Sequence, residues 1–228
     1  MKARIAEIFE SIDGEVNYYG QGIMSTFIRF AGCNASCPYC DTKKYQDINS
    51  GAEMDIKEII KKTKCSKKVT ITGGEPMLQP EPLAELVKYY DAVFVPVTIE
   101  TNGITPFDKF EDILEPYSFN TDDLSLIIDV KTPSSGCEDR NCWANLEYVT
   151  DKDILKFVIQ DRNDFDYSIE MLETVIHRSI TYPTIAFSPV HGLMPAVTLL
   201  KWIKESKIEM MTLATYLNCQ IHKYLGLK

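Results

Sequence analysis

The run Cys33-Asn-Ala-Ser-Cys37-Pro-Tyr-Cys40 places three thiols within eight residues, at CxxxCxxC spacing. Zinc sites usually come as two CxxC-like pairs that supply four ligands. Here one loop supplies three. Three thiolates on a tight loop suit three corners of a cubane iron–sulfur cluster, which normally takes four protein ligands. A missing fourth leaves one iron open, as a catalytic metal needs and a structural one does not. Two plainer readings stand beside this one: three buried thiols, or a zinc site completed by a distant His or Cys.

Other reactive residues follow apolar, β-branched runs. Gly73-Gly74-Glu75-Pro76 comes after KVTIT, and its glycines let backbone approach a ligand closely. Glu100, Thr101 and Asn102 close VTIE, Lys131 and Ser134 follow LIIDV, and Pro189 and His191 follow IAFS. Such residues need a frame that brings them together. Strands are expected at 25–30 (STFIRF), 68–72, 93–100, 126–131, 154–159, 184–188 and 210–213, with 4–9 a further candidate. Helices are expected at 55–62, from Pro82 through Tyr90, at 109–114, 165–177 and 196–205. Alternating strands and helices pair in parallel through right-handed crossovers. About six βα units fall short of the eight of a closed barrel. The expected fold is therefore α/β, an incomplete TIM-like barrel with about six parallel strands, as a single domain over 1–228. The polar run 133–145 reads as an excursion from it. Ligands bind at the carboxyl ends of parallel strands, which is where five of the reactive segments would converge.

Composition narrows the partners. The chain carries 24 Lys+Arg against 33 Asp+Glu, a formal net charge of −9, which disfavours nucleic acid and anionic membrane as partners. No run reaches the roughly 18 apolar residues of a membrane helix, and MKARIAEIFESIDGE has no signal-peptide core. An odd count of 7 Cys without such a signal fits a disulfide scaffold poorly, so a cytoplasmic location is expected.

With Tyr39 before the last cysteine and GGEP one βα unit later, the triplet resembles the signature of radical S-adenosylmethionine enzymes. The resemblance implies that Cys33, Cys37 and Cys40 hold a 4Fe–4S cluster. Its open iron would chelate S-adenosylmethionine, whose reductive cleavage yields a 5′-deoxyadenosyl radical. Cofactor contacts would come from Tyr39, Gly73, Gly74 and Glu75, from Asp129, Val130 and Lys131, and from Ser188 and His191. In the last two segments this sequence departs from the pattern, keeping only the Lys of a Ser-Pro-Lys and carrying Ser188-Pro189-Val190-His191 in place of Gln-Pro-Met.

Ser11-Ile12-Asp13-Gly14-Glu15, Phe27-Ile28-Arg29, Cys40-Asp41-Thr42 and the 218–226 segment NCQIHKYLG together resemble the 7-carboxy-7-deazaguanine synthase family over the whole chain. That family implies a lyase (EC 4.3.99 type) of the queuosine and archaeosine precursor pathway. It would contract 6-carboxy-5,6,7,8-tetrahydropterin to 7-carboxy-7-deazaguanine with loss of ammonia, using S-adenosylmethionine catalytically. It further implies Mg²⁺ on Thr42, an electron donor such as flavodoxin or ferredoxin, and a homodimer. Arg29 offers a guanidinium fork for the pterin carboxylate. Ile12, Asp13, Gly14 and Glu15 would pair with the pterin edge, and Thr72, Gln220, His222 and the terminal carboxylate of Lys228 would complete its pocket. A Thr at position 42 is equally a helix N-cap by sequence alone. An activating enzyme that modifies a protein partner and a non-catalytic metal-binding module are the competing functions. Cys137 and Cys142 supply too few ligands for a second cluster.

Overall fold

The computed structural model describes residues 1–117, 123–178, 181–206, 208 and 214–227. The expected strand at 210–213 and the terminal Lys228 lie outside them. The described strands form one nine-stranded sheet in the order β3-β1-β2-β4-β5-β6-β7-β8-β9. β1 (Lys2–Ile12) lies antiparallel to β2 (Met24–Phe30) and to β3 (Ala52–Asp55). From β2 onward every neighbour is parallel, through β4 (Val69–Gly73), β5 (Val97–Thr101), β6 (Leu124–Val130), β7 (Ile154–Ile159), β8 (Thr184–Pro189) and β9 (Thr215–Leu217). One wall of the incomplete barrel is thus antiparallel.

The strands are not apolar on both faces. They alternate instead. Ile28, Ile71, Ile99, Ile128 and Leu155 point outward into the main core beneath the helices. Inward-facing Arg29, Thr72, Glu100, Asp129, Lys156 and Ser188 are polar and line an internal cavity. A period of two sorts the residues, and the interior is left for chemistry.

Helices sit where their caps and apolar spacing put them. α1 (Ile56–Thr63) is capped by Asp55, whose carboxylate accepts from Lys57 N at 2.9 Å, and it buries Ile56 and Ile59. α2 (Pro80–Ala92) opens on prolines and buries Leu83, Leu86, Val87 and Tyr90. The run at 93–95, expected to begin a strand, terminates this helix, with Phe94 at φ 57°. Pro96 follows, and β5 starts only at Val97. α3 (Asp108–Leu114), α4 (Arg162–Arg178), α5 (Ala196–Ser206) and the short α6 (Ile221–Tyr224) complete the layer.

Residues 13–17 fold inward and plug the barrel floor. Val16 packs on Ile127, Ile154 and Ala186. Asp13 forms a buried ion pair with Lys68 and accepts from Thr70 Oγ1 at 2.7 Å. Lys68 also donates to Thr98 Oγ1 at 3.0 Å. Part of the segment expected at the pterin edge is therefore a floor.

Candidate active site

The cysteine loop leaves β2 and is clamped by backbone. Gly32 N donates to Tyr45 O and Cys33 N to Gln46 O, each at 2.9 Å, while Glu75 N donates to Gly32 O at 2.8 Å. The GGEP turn lies so close that a Cβ on Gly74 would stand 2.2 Å from Gly32 O and 2.9 Å from Cys33 Cβ. Only glycine fits there. All three thiols face one cavity. Burial pushes the Cys33 thiol up and the Cys37 thiol to about 11, with Lys131 opposing in both cases. A ligand thiol must lose its proton, and bound iron supplies the charge that favours this. Among the described residues no three His, Cys, Asp or Glu side chains gather around the position of a single metal ion. A cubane asks for one thiolate per iron rather than three on one ion, so this donor set fits it.

The opposite walls come from strand ends. Arg29 is held by Glu7, its cross-strand partner, with Nε 2.9 Å from Oε1, and lies 5.6 Å from the Phe9 ring and 5.8 Å from the Tyr45 ring. Tyr45 OH donates to the other Glu7 oxygen at 3.0 Å. Thr72 donates to Glu100 Oε2 at 2.7 Å. Burial, then the charge on Glu15, pushes the Glu100 carboxyl up to about 7 against the pull of Lys156. Asp129 takes Lys131 Nζ at 2.9 Å and Lys156 Nζ at 3.0 Å. Burial alone would raise the Asp129 pKa, but the two cations outweigh it and hold it at about 2.

The C-terminal segment closes the remaining side. Gln220 Nε2 and Lys156 Nζ both reach Glu15, and Asn218 Nδ2 lies 3.5 Å from it. Ile221 N donates to Gly14 O at 2.9 Å. His222 stacks so tightly on Gly14 that a Cβ there would fall 1.6 Å from its Nδ1. Burial pushes the His222 pKa below the usual histidine value. Lys223 pairs with Asp41 at 2.7 Å and ties this segment to the cysteine loop. Ser188 Oγ donates to Asn218 O at 3.1 Å, and the exposed His191 meets Tyr224 edge-on at 5.1 Å. Ile12, Tyr39 and Thr42 also line the cavity. The Thr42 hydroxyl makes no cap bond and instead lies 3.5 Å from Cys40 Sγ.

Three expected contact residues turn away. Asp13 spends its carboxylate on Lys68 and Thr70, and its backbone on Ile23 O and Gly22 N. Glu75 is fully buried, its oxygens taken by Met77 N, Thr101 Oγ1 and Asn102 N. Val130 is buried on the outer face of β6. Ser134 also stands outside the cavity, its N–H bound to Asp164. Two charged cavity residues were not anticipated, Lys156 and Lys223. Lys156 carried one signal, a lone charge inside the apolar run ILKFVI.

The 133–145 excursion packs over the cysteine loop rather than away from it. Cys137 is buried beside Cys37, and Arg140 Nη1 donates to Asn34 O at 2.7 Å. All seven cysteines are unpaired, and among the described residues no helix is long and apolar enough to cross a membrane.

Residues 27–192 match the model of the radical SAM superfamily. The chain is 36% identical to a 7-carboxy-7-deazaguanine synthase of Methanospirillum hungatei JF-1, over 98% of this chain and 86% of that one. It is 34% identical to the synthase of Clostridium acetobutylicum, over 99% and 96%. Streptococcus suis SuiB in its S-adenosylmethionine-bound crystal structure shares the fold, with a TM-score of 0.58 at 14% identity. That likeness covers 83% of this chain and about half of SuiB, 51%. The near full-length matches favour the synthase over both the activating enzyme and the non-catalytic module. A 4Fe–4S cluster and S-adenosylmethionine are accordingly the cofactors, and the chain belongs to the 7-carboxy-7-deazaguanine synthase family of radical SAM enzymes.

Proposed function

We propose that this chain contracts 6-carboxy-5,6,7,8-tetrahydropterin to 7-carboxy-7-deazaguanine, releasing ammonia. The observation that carries this reading is one cavity shared by the cysteine loop and a polar wall suited to a carboxylated heterocycle. When bound, the cluster and S-adenosylmethionine supply the radical that takes hydrogen from pterin C6. The chain's own residues do the rest. Arg29, steered by Glu7 and flanked by Phe9 and Tyr45, presents its outer nitrogens to the substrate carboxylate. Glu15 is fixed by Lys156 and Gln220 to face the pterin edge. Glu100, whose carboxyl titrates near neutrality, stands ready to hold or release a proton at the inner end of the cavity. His222 packs on Gly14 and closes one side of the cavity.

Reduced enzyme incubated with S-adenosylmethionine and the carboxylated pterin should yield the deazaguanine acid. S-adenosylmethionine cleavage without that product would reject the substrate.

Mg²⁺ at Thr42 belongs to the same reading, supported by a hydroxyl that faces the cavity and caps nothing. Mg²⁺ leans on substrate oxygens and water and takes few protein ligands. Thr42→Ala should keep its iron content, while the Mg²⁺ concentration for half-maximal rate rises about tenfold, the loss of one oxygen ligand at about 1.4 kcal/mol. An unchanged Mg²⁺ titration would remove the ion from this position. An electron donor such as flavodoxin or ferredoxin, a homodimer and a cytoplasmic location complete the proposal, the last supported by seven free thiols.

A further inference from the structure

Cys33 differs from the other two thiols in its surroundings. Its sulfur accepts from Ala35 N at 3.4 Å and from Asn102 Nδ2 at 3.8 Å. Asn102 closes β5, on the far side of the cysteine loop, and its orientation is over-determined. Its Oδ1 accepts from Ile104 N at 3.0 Å, so Nδ2 must point the other way. One of the two Nδ2 hydrogens goes to Asn34 Oδ1 at 2.7 Å, and Asn34 is in turn fixed by Nδ2 donating to Thr105 Oγ1 at 3.1 Å. The second hydrogen is left for sulfur. The buried Glu75 carboxylate holds the Asn102 backbone N–H at 2.6 Å and so anchors the donor. This gives the carboxylate of the GGEP turn work to do although it never reaches the cavity.

We propose that Asn102 is a redox-tuning residue: its side-chain N–H donates to the Cys33 ligand sulfur and raises the reduction potential of the cluster. The physical reason is charge. Adding one electron to the cluster makes its thiolates more electron-rich, and an N–H aimed at sulfur stabilises that state over the oxidised one. No proton or bond is transferred in the step; one electron enters from the external donor.

The test is a spectroscopic redox titration of reconstituted enzyme without S-adenosylmethionine, with iron and sulfide counted in the same samples. Asn102→Ser keeps an oxygen that can accept from Ile104 N but withdraws the donor to sulfur. Its reduction equilibrium should fall about tenfold, a midpoint about 59 mV more negative for one electron. Asn102→Ala should shift in the same direction. The midpoint is read on whatever fraction of cluster assembles, so partial occupancy does not obscure it. Midpoints equal to the parent in both variants, or shifted positive, would overturn the proposal.

Discussion

Cys37→Ala should purify with iron and sulfide sharply reduced, with no cleavage of S-adenosylmethionine and with product at background. The thiol is buried on the cavity wall beside the other two cysteines. The nearest competitor is Cys137, which packs in the same small cluster. Cys137→Ala is therefore the informative partner. It should assemble the full cluster and retain turnover. If Cys37→Ala kept a full complement of iron while Cys137→Ala lost it, the ligand assignment would pass to the excursion. Circular dichroism should change little in either variant, because both thiols belong to this small cluster and lie outside the main core.

The second large effect is expected at Lys156. Its ammonium is shared by Glu15 and Asp129, and all three lie inside the barrel. Burial alone would lower the Lys156 pKa, but the carboxylates of Asp129, Glu15 and Glu100 reverse this and keep it charged. Lys156→Met preserves the stem and removes the charge. Breaking a buried pair by deleting one partner costs about 3–5 kcal/mol, and activity should fall with it because Glu15 loses its main restraint. The pH dependence carries the sign. In the parent, Asp129 has a folded pKa of about 2, below the 3.8 of an unperturbed Asp, so its stability contribution is present above pH 4 and is lost as pH falls toward 2. In the variant, Glu100 loses the pull of Lys156 that opposes its rise to about 7, so the destabilisation should shrink as pH drops from 7.5 to 5.5 and that carboxyl takes up a proton. Urea unfolding at the two pH values measures this. Glu15→Gln in the Lys156→Met background should recover part of the loss. A deficit independent of pH would point to lost packing of the lysine stem.

Local spacing made the cysteine loop and the GGEP turn legible, because eight and four consecutive residues carry each one. The parallel sheet was legible from alternating runs, and five strand ends do open on one cavity. What escaped depended on long-range pairing. Lys156 and Glu15 are 141 positions apart, and only the folded chain reveals that they touch. Acidic residues inside motifs were misread for a related reason. Asp13 and Glu75 look available in sequence, yet backbone N–H groups, hydroxyls and a lysine consume their oxygens. Strand 93–100 was overextended because β-branched composition is silent about where a helix must stop, whereas Pro96 marks the limit.

The floor plug has a consequence for how the molecule is born. Val16 bonds Asn218, Gly14 bonds Ile221 and Glu15 bonds Gln220, across separations of 202 to 207 positions. On the ribosome the plug emerges at least 202 residues ahead of these partners. Until they follow, Glu15 has only Lys156, which itself emerges 141 positions after it. The cysteine loop can form early, but the chamber around it stays unwalled during synthesis. A chain lacking that segment would expose its thiols to oxygen and stray metal, so maturation of the cluster is best deferred until residues 218–222 have joined the barrel.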